Sequence, residues 1–304
     1  MSHHLLALNA FSKVELSAYI TQAIELKNES KNGIRHDHLA GRTVALIFEK
    51  ASTRTRVSFE AAMYGLGGQV IFMPSRDTQL ARSEPLKDMA RVMSGYVDGM
   101  VIRTFGQEVV EELARYATIP VINALTDLHH PCQILSDVMT VVEKKGNIEE
   151  VKIAWVGDGN NMANSWIQAA SRLGFALTLA CPQGYEPDSQ ILESAQHEAV
   201  KPITLVEDPR KAVDGADVVN TDVWASMGQE SEQEERGAVF QPYQVDTALL
   251  GAAKDDAIVL HCLPAHRGEE ITDEVLESPQ CVAFEQAENK LHIHKAILVK
   301  HLQY

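Results

Sequence analysis

The chain has 304 residues, 45% of them apolar and 23% charged, a composition that excludes disordered, collagen-like and membrane-spanning classes. Its 42 Asp and Glu outnumber 27 Lys and Arg, a formal charge of -15, which opposes a nucleic-acid footprint because phosphate backbones are held by clustered cations. Any phosphate site must be a local concentration of positive charge.

The length suggests two domains of roughly 150 residues each. Met1 to Leu6 lacks the basic and apolar stretches of a secretory signal, and no apolar run approaches the roughly 20 residues that span a bilayer. Four cysteines, Cys132, Cys181, Cys262 and Cys281, contain no CxxC pair, so reduced thiols in a cytoplasmic protein are expected.

Residues 43–49 are a short apolar run with β-branched members and predict a buried strand. A polar loop at 50–56 and a helix over 57–66, stopped by Gly67-Gly68, follow. The alternation recurs: strand 69–73, helix 86–95, strand 99–103, helix 108–116, strand 120–124. A linking helix over 131–145 leads to strand 152–156, helix 162–173, strand 176–180, strands near 217–220 and 257–260, and a last helix over 289–301. Strands alternating with helices imply parallel βαβ units. The acidic run 229–236 reads as a solvated surface.

Each polar constellation falls just after an expected strand, where ligands sit in such folds. In Ser52-Thr53-Arg54-Thr55-Arg56 a helix start offers free N–H groups and its positive dipole end. Hydroxyls and Arg54 or Arg56 add donors suited to a phosphate. The same pattern also serves as a plain capping segment with solvated arginines. After strand 120–124, with Arg103 at the end of the strand before it, comes Asp127-Leu128-His129-His130-Pro131-Cys132-Gln133. Pro131 suits a first helical turn, placing His130 and Gln133 about one turn apart, where they can address one ligand or serve structure. A zinc site from His129, His130 and Cys132 lacks a fourth ligand.

Gly157-Asp158-Gly159-Asn160-Asn161 begins like a dinucleotide fingerprint, but Met162 stands where the third glycine belongs. Asp222-Val223-Trp224-Ala225-Ser226-Met227-Gly228 and His261-Cys262-Leu263-Pro264 each follow a strand. A lone cysteine is more often buried filler than nucleophile, and a neighbouring carboxylate disfavours its thiolate.

Taken in order, STRTR, HPCQ, GDGNN, DVWASMG and HCLP resemble the carbamoyltransferases of the aspartate/ornithine family, from about residue 40 to the C-terminus. DVWASMG and HCLP are similar to the ornithine branch. The resemblance implies an α/β fold of two domains, each a parallel β-sheet flanked by helices. Residues 1–133, with a helix 287–304 packing back on them, would bind carbamoyl phosphate, and residues 134–286 ornithine. It implies transfer of the carbamoyl group to the ornithine side-chain amine by a homotrimer with shared active sites, giving citrulline and phosphate without metal or cofactor. Carbamoyl phosphate would meet Ser52, Thr53, Arg54, Thr55, Arg103, His130 and Gln133, with Gln79 lent by a neighbouring subunit. Ornithine would meet Asn161, Asp222, Ser226 and Met227, with Cys262 and Leu263 at the junction of the substrates. Arg103, His130, Cys262 and Asp222 would be the catalytic set.

One position departs: the family's Glu-Asn-Arg is Glu288-Asn289-Lys290 here, so the charge stays but the planar fork that would grip phosphate is lost. Competing readings are another amine acceptor (aspartate, putrescine or an acylated ornithine) and a non-catalytic binding protein. A dinucleotide-dependent oxidoreductase would need the glycine that Met162 replaces.

Overall fold

A computed structural model of the chain describes residues 4–74, 84–225 and 233–303. It divides into two units, Met1–Met139 with Glu288–Tyr304, and Thr140–Ala287.

The sheet of the first unit contains β1 (Thr43–Phe48), β2 (Gln69–Pro74), β3 (Gly99–Arg103) and β4 (Val121–Leu125), all parallel, in the order β2-β1-β3-β4. Every residue of β3, and all of β1 after its first, is buried, as a parallel sheet covered on both faces requires. The helices are α1 (Lys13–Lys31), α2 (Thr53–Gly65), α3 (Leu86–Ser94), α4 (Gln107–Tyr116) and α5 (Pro131–Lys145). Met89, Met93, Val110 and Leu113 on α3 and α4 pack with Ala45, Ile47, Met100 and Ile102 of the sheet.

The second unit's strands are β5 (Lys152–Val156), β6 (Ala176–Ala180), β7 (Ile203–Val206), β8 (Val218–Thr221) and β9 (Ile258–His261), parallel in the order β7-β6-β5-β8-β9. Around them run α6 (Asn161–Leu173), α7 (Ser189–Glu198), α8 (Pro209–Val213), α9 (Gln233–Phe240), α10 (Thr247–Leu250) and α11 (Asp273–Leu276). Trp155 on β5 and Trp166 on α6 are fully buried, and the Trp166 indole N–H donates to Asn220 Oδ1 at 2.6 Å. A polar tip is tolerated in a core when it finds such a partner.

The last helix, α12 (Ala283–Leu302), reaches α1 through side-chain bonds. Lys27 donates to Asn289 at 2.7 Å, Lys295 to Ser30 at 3.0 Å, and Tyr19 Oη meets His301 Nε2 at 2.8 Å. No described helix is long and apolar enough to cross a membrane.

Several features differ from the sequence expectation. Helix α2 begins at Thr53, not Val57, because Ser52 caps it. Helix α1, opened by a Ser12/Glu15 capping box, edge strand β7 and helices α7, α8, α10 and α11 lie where no element was expected. Within the acidic run, Arg236 is buried on α9 rather than solvated; residues 229–232 lie outside the described residues.

Candidate active site

A doubly wound sheet binds ligands beyond the carboxyl ends of its strands, at the point where the winding direction reverses. That point falls between β1 and β3 in the first unit and between β5 and β8 in the second.

In the first unit Ser52 is extended, and its Oγ accepts from Thr55 N–H at 3.3 Å. Thr53, Arg54 and Thr55 therefore form the first turn of α2, whose leading N–H groups and dipole favour an anion. Thr55 is buried, whereas Thr53 and Arg54 are exposed. Arg56 is engaged elsewhere: its Nε donates to Glu60 at 2.8 Å and its guanidinium lies 3.5 Å from the Phe72 ring centre. Of the two arginines the sequence left open, Arg54 is thus the anion candidate.

Side chains tie this loop to its neighbours. Thr104 donates to Glu49, and Lys50 donates to Asp127 while sitting 4.3 Å from the centre of the Phe105 ring. Arg103, the buried last residue of β3, is paired in register with Phe48 of β1. His130 and Gln133 lie at the start of α5, both buried. Burial, reinforced by the charges of Lys290, Arg103 and His294, holds the His130 imidazole well below its ordinary pKa, so it is neutral at pH 7. Lys290 Nζ donates to Gln133 Oε1 at 2.8 Å, and Gln133 Nε2 to Asp137 Oδ1 at 2.7 Å.

The zinc alternative does not gather its ligands: among the described residues, His129, His130 and Cys132 are not a group whose ligand atoms lie within 4.8 Å of one another. The Cys132 S–H instead donates to the Asn123 carbonyl at 3.3 Å, and burial pushes that thiol up to about 12.

In the second unit the turn after β5 is shaped by Gly159, where a Cβ would stand 2.2 Å from the backbone of Glu186 and Pro187. No side chain fits there. Asn160 caps α6, its Oδ1 accepting from Met162 and Ala163 N–H at 2.9 and 3.3 Å, and its Nδ2 donates to Asp222 Oδ2 at 3.1 Å. The other Asp222 oxygen accepts from Val223 N–H at 2.9 Å and from the Cys262 thiol at 3.0 Å. Cys262 therefore serves as a donor to a carboxylate. Asn161 begins α6, half-buried. Asp158 is buried and paired with Arg236 Nη1 at 3.0 Å, and burial, opposed by Arg236, raises its pKa to about 6.

At the end of β9, His261 and Glu270 are both fully buried, with His261 Nε2 3.0 Å from Glu270 Oε1. Leu263 N–H donates to His261 Nδ1 at 2.9 Å. Asp222, His261 and Cys262 hold ligand-type atoms within 4.8 Å of one another, but both ring nitrogens and the thiol hydrogen are already spent. That trio is a hydrogen-bonded cluster, not a metal centre. Gln79, Ser226 and Met227 lie outside the described residues. The sequence reading missed Arg236 and Glu270 as supporting residues; neither belongs to a recognisable motif.

Residues 3–143 match the model of the aspartate/ornithine carbamoyltransferase carbamoyl-P binding domain, and residues 149–301 that of the Asp/Orn binding domain. The chain is 71% identical over 302 residues to an ornithine carbamoyltransferase of Desulfotalea psychrophila, covering 99% of this chain and 100% of the relative. It is 60% identical to that of Geobacter sulfurreducens, covering 98% of each. The solved ornithine carbamoyltransferase of Pyrococcus furiosus superposes with a TM-score of 0.95 at 49% identity, covering 98% of this chain and 96% of that one.

Proposed function

The chain belongs to the aspartate/ornithine carbamoyltransferase family, and from that premise we propose that it moves the carbamoyl group of carbamoyl phosphate onto the side-chain amine of L-ornithine, giving L-citrulline and phosphate. One observation carries this reading: both switch points hold a complementary half of the chemistry. The first offers a capped helix start with Arg103 and a neutral His130, the second a carboxylate, Asp222, suited to an amine-bearing substrate.

The first unit holds carbamoyl phosphate: Ser52, Thr53, Arg54 and Thr55 take the phosphate, Arg103, His130 and Gln133 the carbamoyl group. The second unit holds ornithine through Asn161, Asp222, Ser226 and Met227, with Cys262 and Leu263 near the reacting atoms. The amine nitrogen bonds to the carbamoyl carbon, the bond from that carbon to the phosphate oxygen breaks with its electron pair leaving on phosphate, and the proton the nitrogen loses is taken up by the departing phosphate. An amine with a pKa near 10.4 is neutral in only about 1 molecule in 2,500 at pH 7, a deficit of about 4.6 kcal/mol. Nearby cations and burial reduce that deficit. Negative charge growing on the carbonyl oxygen is met by Arg103, Thr55 and the N–H of neutral His130.

We place the reaction in arginine metabolism, in biosynthesis or, run in reverse, in catabolism, in the cytoplasm, with a homotrimer whose neighbouring subunit lends Gln79. Purified protein offered ornithine, aspartate, putrescine and acetylornithine tests the acceptor, and carbamoylation of any of the last three in preference to ornithine refutes the assignment. Mixing inactive Gln79→Ala and Cys262→Ala proteins under subunit exchange should restore activity if sites are shared; no recovery from trimers shown to be mixed counts against sharing.

A further inference from the structure

The residues after β9 carry an unusual constraint. Leu263 has φ +58, a left-handed conformation that L side chains other than Asn and Asp rarely adopt. Its N–H can only donate, so His261 Nδ1 must be the acceptor, and the single proton of a neutral ring then sits on Nε2, facing Glu270 Oε1 at 3.0 Å. The protonation of a fully buried ring is thereby dictated from both ends.

Glu270 is itself fixed. Its Oε1 also accepts from the His266 N–H at 2.6 Å, and its own carbonyl accepts from Val245 N–H at 2.8 Å. Between His261 and Leu263 lies Cys262, whose thiol is bound to Asp222. Glu270 thus anchors, through one ring, the two residues assigned to the junction of the substrates.

We propose that Glu270 is a positioning residue for the transfer: by accepting from His261 Nε2–H it locks the ring that holds Leu263 in its left-handed conformation and presents the Cys262 thiol to Asp222. Its side chain is fully buried, so its assigned role runs through the ring. The idea rests on the carbamoyl-transfer reading of the site.

Two variants of the full-length protein test it. Glu270→Leu keeps the bulk and removes the acceptor, whereas Glu270→Gln keeps a side-chain carbonyl. Leu is expected to lower ornithine kcat/KM roughly 100-fold, the cost of a displacement near 1 Å at reacting groups, with the KM for carbamoyl phosphate changed less than about twofold. Gln should recover most of the loss. Nitrogen-15 NMR of His261 should show a bare Nδ1 and a protonated Nε2 in the parent and mixed tautomers in Glu270→Leu. Unchanged ornithine kinetics in Glu270→Leu, or a Gln variant no better than Leu, overturns the proposal. Should Glu270→Leu not fold, His261→Asn carries the test, and unchanged ornithine turnover there overturns it equally. If the parent protein forms no citrulline, the functional reading fails, yet an unaltered His261 tautomer in Glu270→Leu still refutes the anchor independently.

Discussion

Lys290 Nζ donates to the side-chain carbonyl of Gln133 at 2.8 Å, and its charge, after burial, helps depress the pKa of His130. One cation at the family's arginine position thus acts on two residues assigned to the carbamoyl group. Lys290→Met is expected to weaken carbamoyl phosphate binding by about 1.5–3 kcal/mol, the worth of a hydrogen bond to a charged group. It should also raise the His130 pKa, as an NMR titration would show. Lys290→Arg, restoring the fork, should tighten binding by about 1–2 kcal/mol in calorimetry; equal affinity would mean the lysine already supplies what the arginine would.

His130→Ala should lose mainly turnover, about 100- to 1,000-fold, as removal of one preorganised donor does elsewhere. Arg54→Ala should lose turnover and carbamoyl phosphate affinity together. Steady-state kinetics separate the two, and near-normal kcat in His130→Ala would remove that residue from the transition-state role.

Stability should fall on acidification below pH 6.5. His130 and His294 are held well below 6.5, chiefly by burial, and His292 is lowered to about 4 for the same first reason. Between those values and 6.5 the unfolded chain binds protons that the folded chain refuses, so each histidine costs up to ~1.4 kcal/mol per pH unit across its window. Urea midpoints at pH 7 and pH 5 measure this, and a midpoint no lower at pH 5 contradicts it.

Asp222→Asn keeps the shape but turns an acceptor that serves Asn160, Val223 and Cys262 into a group that also donates. Ornithine kcat/KM should drop about 100-fold while carbamoyl phosphate affinity stays within about twofold. An equal loss for both ligands would place Asp222 in general folding instead.

Arg236→Met leaves Asp158 buried without its partner, at a cost of about 3–5 kcal/mol at neutral pH. Asp158 already has a pKa near 6, above its unfolded value. Removing the cation raises it further, so at pH 5 the carboxyl is protonated and the penalty shrinks. Denaturation of parent and variant at pH 7.5 and pH 5 should show a smaller gap at the lower pH; a constant gap would mean that packing, not charge, sets the cost.

Much of the fold is legible in the sequence. Central strands such as β1 and β3 are buried on both faces and appear as unbroken apolar runs. Edge strand β7, four residues long and partly exposed, leaves no such run. Helix α1 spreads its buried residues among polar ones, and only its capping box marks it. The motif loops were legible because each follows a strand. Their supports were not: Arg236 sits in an acidic stretch that reads as solvated and meets Asp158 from 78 residues away, and Glu270 meets His261 only once β9 has turned. Pairings of that kind are decided by tertiary folding, and no local pattern carries them.

The buried indoles have a practical corollary. All three tryptophans, Trp155, Trp166 and Trp224, belong to the ornithine-side unit, so intrinsic tryptophan emission is a reporter confined to that half of the chain. The carbamoyl phosphate half is silent at those wavelengths. Trp224, two positions from Asp222, should give a label-free signal if the acceptor binds there, and a single introduced tryptophan in the first unit would let the two halves be watched melting separately.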